Sequence, residues 1–245
     1  MSRHGRVRDR LTRSGALRAR GDLTAYLPLA VATTAASVAG RERAHLATKL
    51  LLAPTLSAGV LASRDRRPAG RTAALTVALV GSAVGDWFMN ASGRTTTPAA
   101  RRSLIRRGAS AFAVQQAGLI GMQLRDGARP ELRSAAVVSA VLAGLGAVDA
   151  VGTGEPDPVL TGYGLLLGSM SALALSEAST GRRRRSVAVG GGLFLLSDAA
   201  IIVGEHLAKT PRQQAVASGI VMSTYAAALA LLVHGLRDSP TVPHT

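Results

Sequence analysis

Charge in this chain is confined to short clusters, mostly of arginine, and between the clusters run apolar segments of roughly 16–23 residues. About 20 apolar residues cross the hydrocarbon core of a bilayer as a helix. A soluble helix would instead place polar residues every three or four positions to make a wet face. Hydrophobic residues are 47% of the 245, yet aromatics are only 3%, so the apolar content is mostly Ala, Leu and Val, with 27 Gly among them. Such small residues weaken a helix in water but let helices approach closely in lipid. The pattern predicts an all-α polytopic membrane protein, a bundle of about eight transmembrane helices. The spans fall near 22–40, 44–62, 72–90, 108–124, 134–151, 158–178, 186–205 and 214–236. Residues 22–236 form the eight-helix transmembrane domain. Residues 1–21 read as a basic, disordered cytoplasmic tail and 237–245 as a short C-terminal tail. The basic N-terminus also fits a signal peptide, but a retained first helix is the preferred reading because more spans follow.

The net charge of +15 raises two possibilities. Nucleic-acid binding is set aside, because no basic stretch is interleaved with aromatics. Loops facing anionic headgroups account for the arginines better. With the N-terminus inside, 19 of the 29 Lys and Arg fall in inner segments and 9 in outer ones. That excess favours N-in and C-in in a bacterial-type inner membrane. The connection "ASGRTTTPAARRSLIRR" after the third span runs against it, with five arginines on the outer side. No Cys is present, which excludes disulfides, thiolate metal sites and a Cys nucleophile. Nothing in the sequence assigns an oligomeric state.

Ionisable groups inside spans are expensive and face a protein interior or a wet cavity. Those here are Lys49, Asp86, Asp149, Glu177, Asp198 and Glu205, beside the uncharged Gln115 and Gln116. Counted from the outer ends of their spans, Lys49, Asp86 and Asp198 lie within roughly 5 Å of a common depth. The three can therefore meet. Lys49 can instead snorkel to the interface. Asp149 and Glu205 are expected at interfaces, and Glu177, next to Arg182–Arg185, as a solvated charge at headgroup level. Gln115 and Gln116 suit interhelical hydrogen bonds. Gly81, Ser82, Gly190 and Gly191 either leave room for an apolar ligand chain or let helices pack tightly. The histidines (His4, His45, His206, His234, His244) are scattered at tails and span ends and form no metal set, so neither metal nor cofactor is expected. No G-x-S-x-G elbow marks a Ser hydrolase.

"TKLLLAP", "SAVGDWFM", "GYGLLLGSM" and "GGGLFLLSDAAI" stand in that chain order. In their order, spacing and placement on eight spans they resemble the YhhN family, whose animal members are lysoplasmalogenases. The resemblance covers nearly the whole chain. It is carried by Lys49 with Pro54, Gly85 with Asp86, Tyr163 with Met170, and Ser197 with Asp198. It departs where Leu50 replaces the usual Pro, where Gln116 stands at the family's His position, and where Ala228 replaces a Gln after Tyr225.

Family membership implies a membrane hydrolase that cleaves the vinyl ether bond of a lysoplasmalogen to a fatty aldehyde and a glycerophospho-headgroup. Two carboxyls suit that reaction. One, protonated, acts as general acid, and the other, ionised, stabilises the oxocarbenium ion. Asp86 and Asp198 are the candidates for these catalytic roles. Lys49, Gln116, Tyr163, Ser197 and Tyr225 are candidate substrate-binding residues. The expected partners are a lysolipid substrate and membrane lipids, and not nucleic acid. The substrate should lie in a cleft with a polar mouth and an apolar depth. The alternative is a non-enzymatic small transporter or lipid-binding membrane protein, since Asp86 and Asp198 occupy roughly corresponding places in the third span of each half.

Overall fold

The computed structural model describes residues 21–153, 157–178 and 182–237, without the side chains of 149–153 and 182–183. The two predicted tails therefore lie almost wholly outside the described residues. Eight α-helices account for nearly all that is described: α1 Gly21–Val38, α2 Glu42–Ala62, α3 Ala69–Ser92, α4 Pro98–Arg125, α5 Leu132–Thr153, α6 Pro158–Ser176, α7 Arg182–Leu207 and α8 Pro211–Arg237. The bundle is the expected all-α polytopic one. By length and hydropathy, α2, α3, α6, α7 and α8 each suffice to cross a membrane.

Proline marks the helix starts where its missing N–H costs nothing. Pro98, Pro158 and Pro211 are each the first residue of a helix, and the Asp157 side chain caps α6 through the Val159 N–H at 3.0 Å. Glycine marks two stops. Gly40 and Gly127 have φ of 64° and 86°. The bonds Arg41 N–H to Ala36 C=O and Ala128 N–H to Gln123 C=O close the chain behind them. These are Schellman turns, and the second fixes Asp126 at the end of α4.

The third interhelical connection differs from expectation. Residues 98–107 are not loop; they extend α4 by nearly three turns. The sequence there reads as loop because it is polar and begins with Thr-Pro, but Pro at a first helical position starts a helix.

Seven helices close a ring in the order α1, α2, α3, α4, α6, α7, α8, and α8 returns to α1. Helix α5 packs outside, against α6 and α7. Glycines set the tightest approaches. A Cβ on Gly81 would lie 2.7 Å from the Ala111 carbonyl oxygen of α4, and one on Gly191 2.5 Å from Ala174 Cβ of α6. A Cβ on Gly190 would meet Leu232 of α8 at 2.9 Å. Of the two readings of these small residues, close packing is the one seen.

One end of the ring is sewn with ion pairs. Arg71 of α3 binds the Asp126 carboxylate and donates to the Leu236 carbonyl at 2.7 Å. Arg184 of α7 meets Glu177 at 2.6 Å and the Asp126 carbonyl at 3.1 Å. Arg237 of α8 reaches Asp22 of α1 at 2.7 Å. Glu177 is thus not the solvated charge expected. It is buried, because Arg184 in the first turn of α7 reaches back over it. Burial pushes its carboxyl above the usual range, and Arg184 pulls against that. Glu205 pairs with Arg101 of α4 at 3.0 Å near the opposite end, where both side chains remain about half exposed. The Asp149 side chain lies outside the described residues.

Two outcomes follow from this packing. Gly191→Ala should lower the thermal midpoint in detergent by an amount equivalent to about 1–3 kcal/mol. Gly192→Ala, whose Cβ would meet only Leu175 at 3.7 Å, should leave it nearly unchanged. Arg71→Met leaves the Asp126 carboxylate buried and uncompensated and should cost about 3–5 kcal/mol, whereas the double change with Asp126→Leu should recover much of that loss.

Candidate active site within the ring

Successive residues of a helix point about 100° apart, so a buried side chain can sit beside one facing lipid. Asp86 is 1% exposed, while Trp87 is 55% exposed. The carboxylate faces the ring and the chain's only Trp faces outward, where its amphipathic ring suits a membrane interface.

Inside the ring Asp86 is held by two neighbours. The Lys49 ammonium of α2 lies 3.0 Å from its Oδ1. The Tyr225 hydroxyl of α8 donates to its Oδ2 at 2.7 Å, and Ser82, one turn earlier on α3, shares a 2.6 Å hydrogen bond with the same hydroxyl. Lys49 therefore does not snorkel. It turns inward because a buried carboxylate gives it a charge partner that hydrocarbon does not. Its ammonium also stands 5.6 Å from the centre of the Tyr225 ring.

Asp198 of α7 has a different partner. The Tyr163 hydroxyl of α6 donates to its Oδ2 at 2.5 Å. Both residues are half-buried. Gln116 of α4 is buried near the same Tyr163 hydroxyl, but its amide makes no hydrogen bond among the described residues. Lys49, beyond its contact with Asp86, is close enough to act electrostatically on Asp198. The two phenol–carboxyl pairs flank one ring: Phe112 of α4 lies 6.3 Å from the centroid of Tyr163 and 6.3 Å from that of Tyr225.

Of the residues singled out in the sequence, Asp86, Asp198, Lys49, Gln116, Tyr163 and Tyr225 meet in this polar centre. Ser197 does not face it. Its hydroxyl donates to the Val221 carbonyl at 3.1 Å and ties α7 to α8. Gln115 is buried on α4 with no protein partner for its amide among the described residues.

Three residues were missed. Phe112 forms the aromatic divider. Tyr26 of α1 is 1% exposed, donates to the Ala226 carbonyl at 2.8 Å, and lies within electrostatic reach of Asp86. His45 lies one turn before Lys49, with its ring Nδ1 3.1 Å from the Thr33 hydroxyl, and is also within electrostatic reach of Asp86. A signal for Tyr26 was present. The chain has only three tyrosines, and all three gather around the two aspartates. All seven ring helices thus contribute a side chain to the centre, and among the described residues α5 contributes none.

Chemically the centre offers a carboxylate in an ion pair, a second carboxyl bonded to a neutral phenol, and apolar aromatic walls. That combination suits acid–base work in a poorly hydrated space. The donor set holds no histidine pair or thiolate of the kind that binds transition metals.

No curated protein and no solved structure matches the chain significantly. The model of the YhhN family does match, over residues 44–236. That stretch runs from the first turn of α2 to the last turn of α8 and includes every residue of the polar centre except Tyr26, and on this match the chain belongs to the YhhN family.

Proposed function

We propose that the chain is a membrane-embedded hydrolase that cleaves the vinyl ether bond of lysoplasmalogen-type lysolipids. The products are a fatty aldehyde and a glycerophospho-headgroup. The observation that carries the reading is the pair of carboxyls with unlike partners: Asp86 on Lys49 and Tyr225, Asp198 on Tyr163. Two carboxyls in different environments divide acid and base roles.

The roles follow from the contacts. Asp86, in contact with the ammonium, serves as the carboxylate that faces the developing cation. Asp198, with a neutral phenol as its direct partner and more exposure, serves as the general acid. It delivers a proton to the vinyl carbon distal to the ether oxygen. The C=C electron pair forms the new C–H bond and leaves an oxocarbenium ion. Water adds to the carbon bonded to the ether oxygen and loses a proton to the Asp198 carboxylate, which restores the acid. The hemiacetal then breaks its C–O bond to release the aldehyde and the headgroup alcohol. Tyr163 and Tyr225 orient the two carboxyls, Gln116 stands by with an amide free to meet the substrate, and Lys49 keeps Asp86 charged.

The transporter reading is less well supported. Transport sites in folds of that kind are built from broken helices near the midplane. Here each ring helix runs unbroken through the centre, and the carboxyls lie toward one end.

Full-length protein in detergent should release aldehyde from a vinyl-ether lysolipid. Asp86→Asn and Asp198→Asn should each lower the rate by about 10²–10⁴-fold. Wild-type turnover by either folded variant would sink the assignment. In D₂O, product trapped as it forms should carry one deuterium on the carbon next to the aldehyde. Unlabelled aldehyde would rule out protonation at carbon.

A further inference from the structure

Helices α3 and α4 leave a groove of 720 Å³ along their outer side. Val77, Val80 and Val84 of α3 and Val114 of α4 form its apolar walls and are 41–55% exposed. It lies across the α3–α4 seam from Asp86. The Gly81 contact with the Ala111 carbonyl closes that seam, and Asp86 and Ser82 point the other way, into the ring.

One end of the groove is not apolar. Ser103, Arg106 and Arg107 of the helical extension of α4, and Ser110 one turn further on, line it. Their spacing, with Val114, is i, i+3, i+4, i+7 and i+11, so they share one face of the helix. The α3 residues 77, 80, 81, 84 and 88 repeat the same spacing on the facing side. From Ser103 to Val114 the groove runs ~16 Å, about half of the ~30 Å hydrocarbon core. That is the depth of one leaflet.

The five arginines between residues 91 and 107 are also the ones that run against the charge asymmetry of the other loops. Some have partners within the protein. Arg94 reaches Asn90 at 2.6 Å and Arg101 reaches Glu205 at 3.0 Å. Arg106 spends only its Nε on Asp157, at 2.6 Å. Arg107 is exposed and has no acidic partner among the described residues. A guanidinium without a carboxylate, at the head of an apolar groove one leaflet deep, matches a phosphate ester that carries an acyl chain.

We propose that this groove binds an anionic phospholipid, with one acyl chain along the valines and the headgroup phosphate on Arg107, beside Arg106 and the Ser103 and Ser110 hydroxyls. The site is separate from the polar centre and does not depend on the vinyl ether reading. It also gives the basic extension of α4 a use that topology does not.

The test uses delipidated full-length protein in detergent, titrated with diacyl phosphatidylglycerol or diacyl phosphatidylcholine. Bound lipid is counted by native mass spectrometry, and the thermal midpoint is followed in parallel. One phosphatidylglycerol should bind per chain, several-fold more tightly than phosphatidylcholine, and raise the midpoint. Arg107→Gln should weaken that binding about 10-fold, the loss of one charge-assisted contact. Val80→Trp, which places a ring in the groove from an exposed position, should weaken it as well. Arg133→Gln, a basic residue near the opposite end, should bind as the wild type does. Equal affinity for the two lipids, or wild-type binding by Arg107→Gln, overturns the headgroup assignment. Wild-type binding by Val80→Trp overturns the groove. Because binding and not turnover is read, failure of the hydrolase reading leaves these outcomes unchanged.

Discussion

An ammonium and a carboxylate 3.0 Å apart, between helices that are otherwise apolar, constrain everything around them. Neither Lys49 nor Asp86 is tolerable alone in hydrocarbon, because an unpaired charge there costs several kcal/mol. Facing each other across α2 and α3, they fix the rotation of both helices. With that rotation set, Trp87 and the valines of α3 face outward, and Ser82 meets Tyr225. The remaining polar groups follow the same rule. Tyr225 donates to Asp86 and Tyr163 to Asp198, so each carboxyl has a donor from a different helix.

The two ends of the ring do different things. At one end Arg71, Asp126, Arg184, Glu177, Arg237 and Asp22 link six helices through ion pairs and carbonyl contacts. Such pairs lose much of their Coulomb energy to desolvation, and their attested use is to fix register. The polar centre lies toward the other end, where Gly81 and Gly85 of α3 draw α4 close; Gly190 and Gly191 of α7 draw α8 and α6 close nearer the ion-paired end. Tight packing then holds the two aspartates in place, as the proposed acid–base pair would require.

Much of this was legible in the sequence. Helix number and approximate ends follow from runs long enough to cross a bilayer. That Lys49, Asp86 and Asp198 share a depth follows from the helical rise alone. Other parts were not legible, for identifiable reasons. Glu177 lies beside four arginines in the sequence and reads as a surface charge. Its burial depends on where the first turn of α7 sets Arg184. The first turns of α4 read as loop because their residues are polar, and hydropathy does not distinguish a polar helix from a polar loop. Ser197 adjoins Asp198 but points to α8, since neighbours on a helix diverge by about 100°. Phe112 joined the centre as one apolar residue among many on α4 and gave no local signal, and Tyr26 stood out only as one of three tyrosines in the chain.

By itself the sequence determined that this is an α-helical membrane protein with eight helices and a few intramembrane charges at one level. Its apolar runs are long enough to span, and a charge is costly wherever it is buried, so both conclusions are one-dimensional. Only the tertiary structure decided which helices close the ring, that α5 stands outside it, and which donor meets which aspartate. Those depend on helix rotation and neighbour order, which are set jointly by glycine contacts and buried polar partners far apart in the chain, and no periodicity along a single helix encodes them.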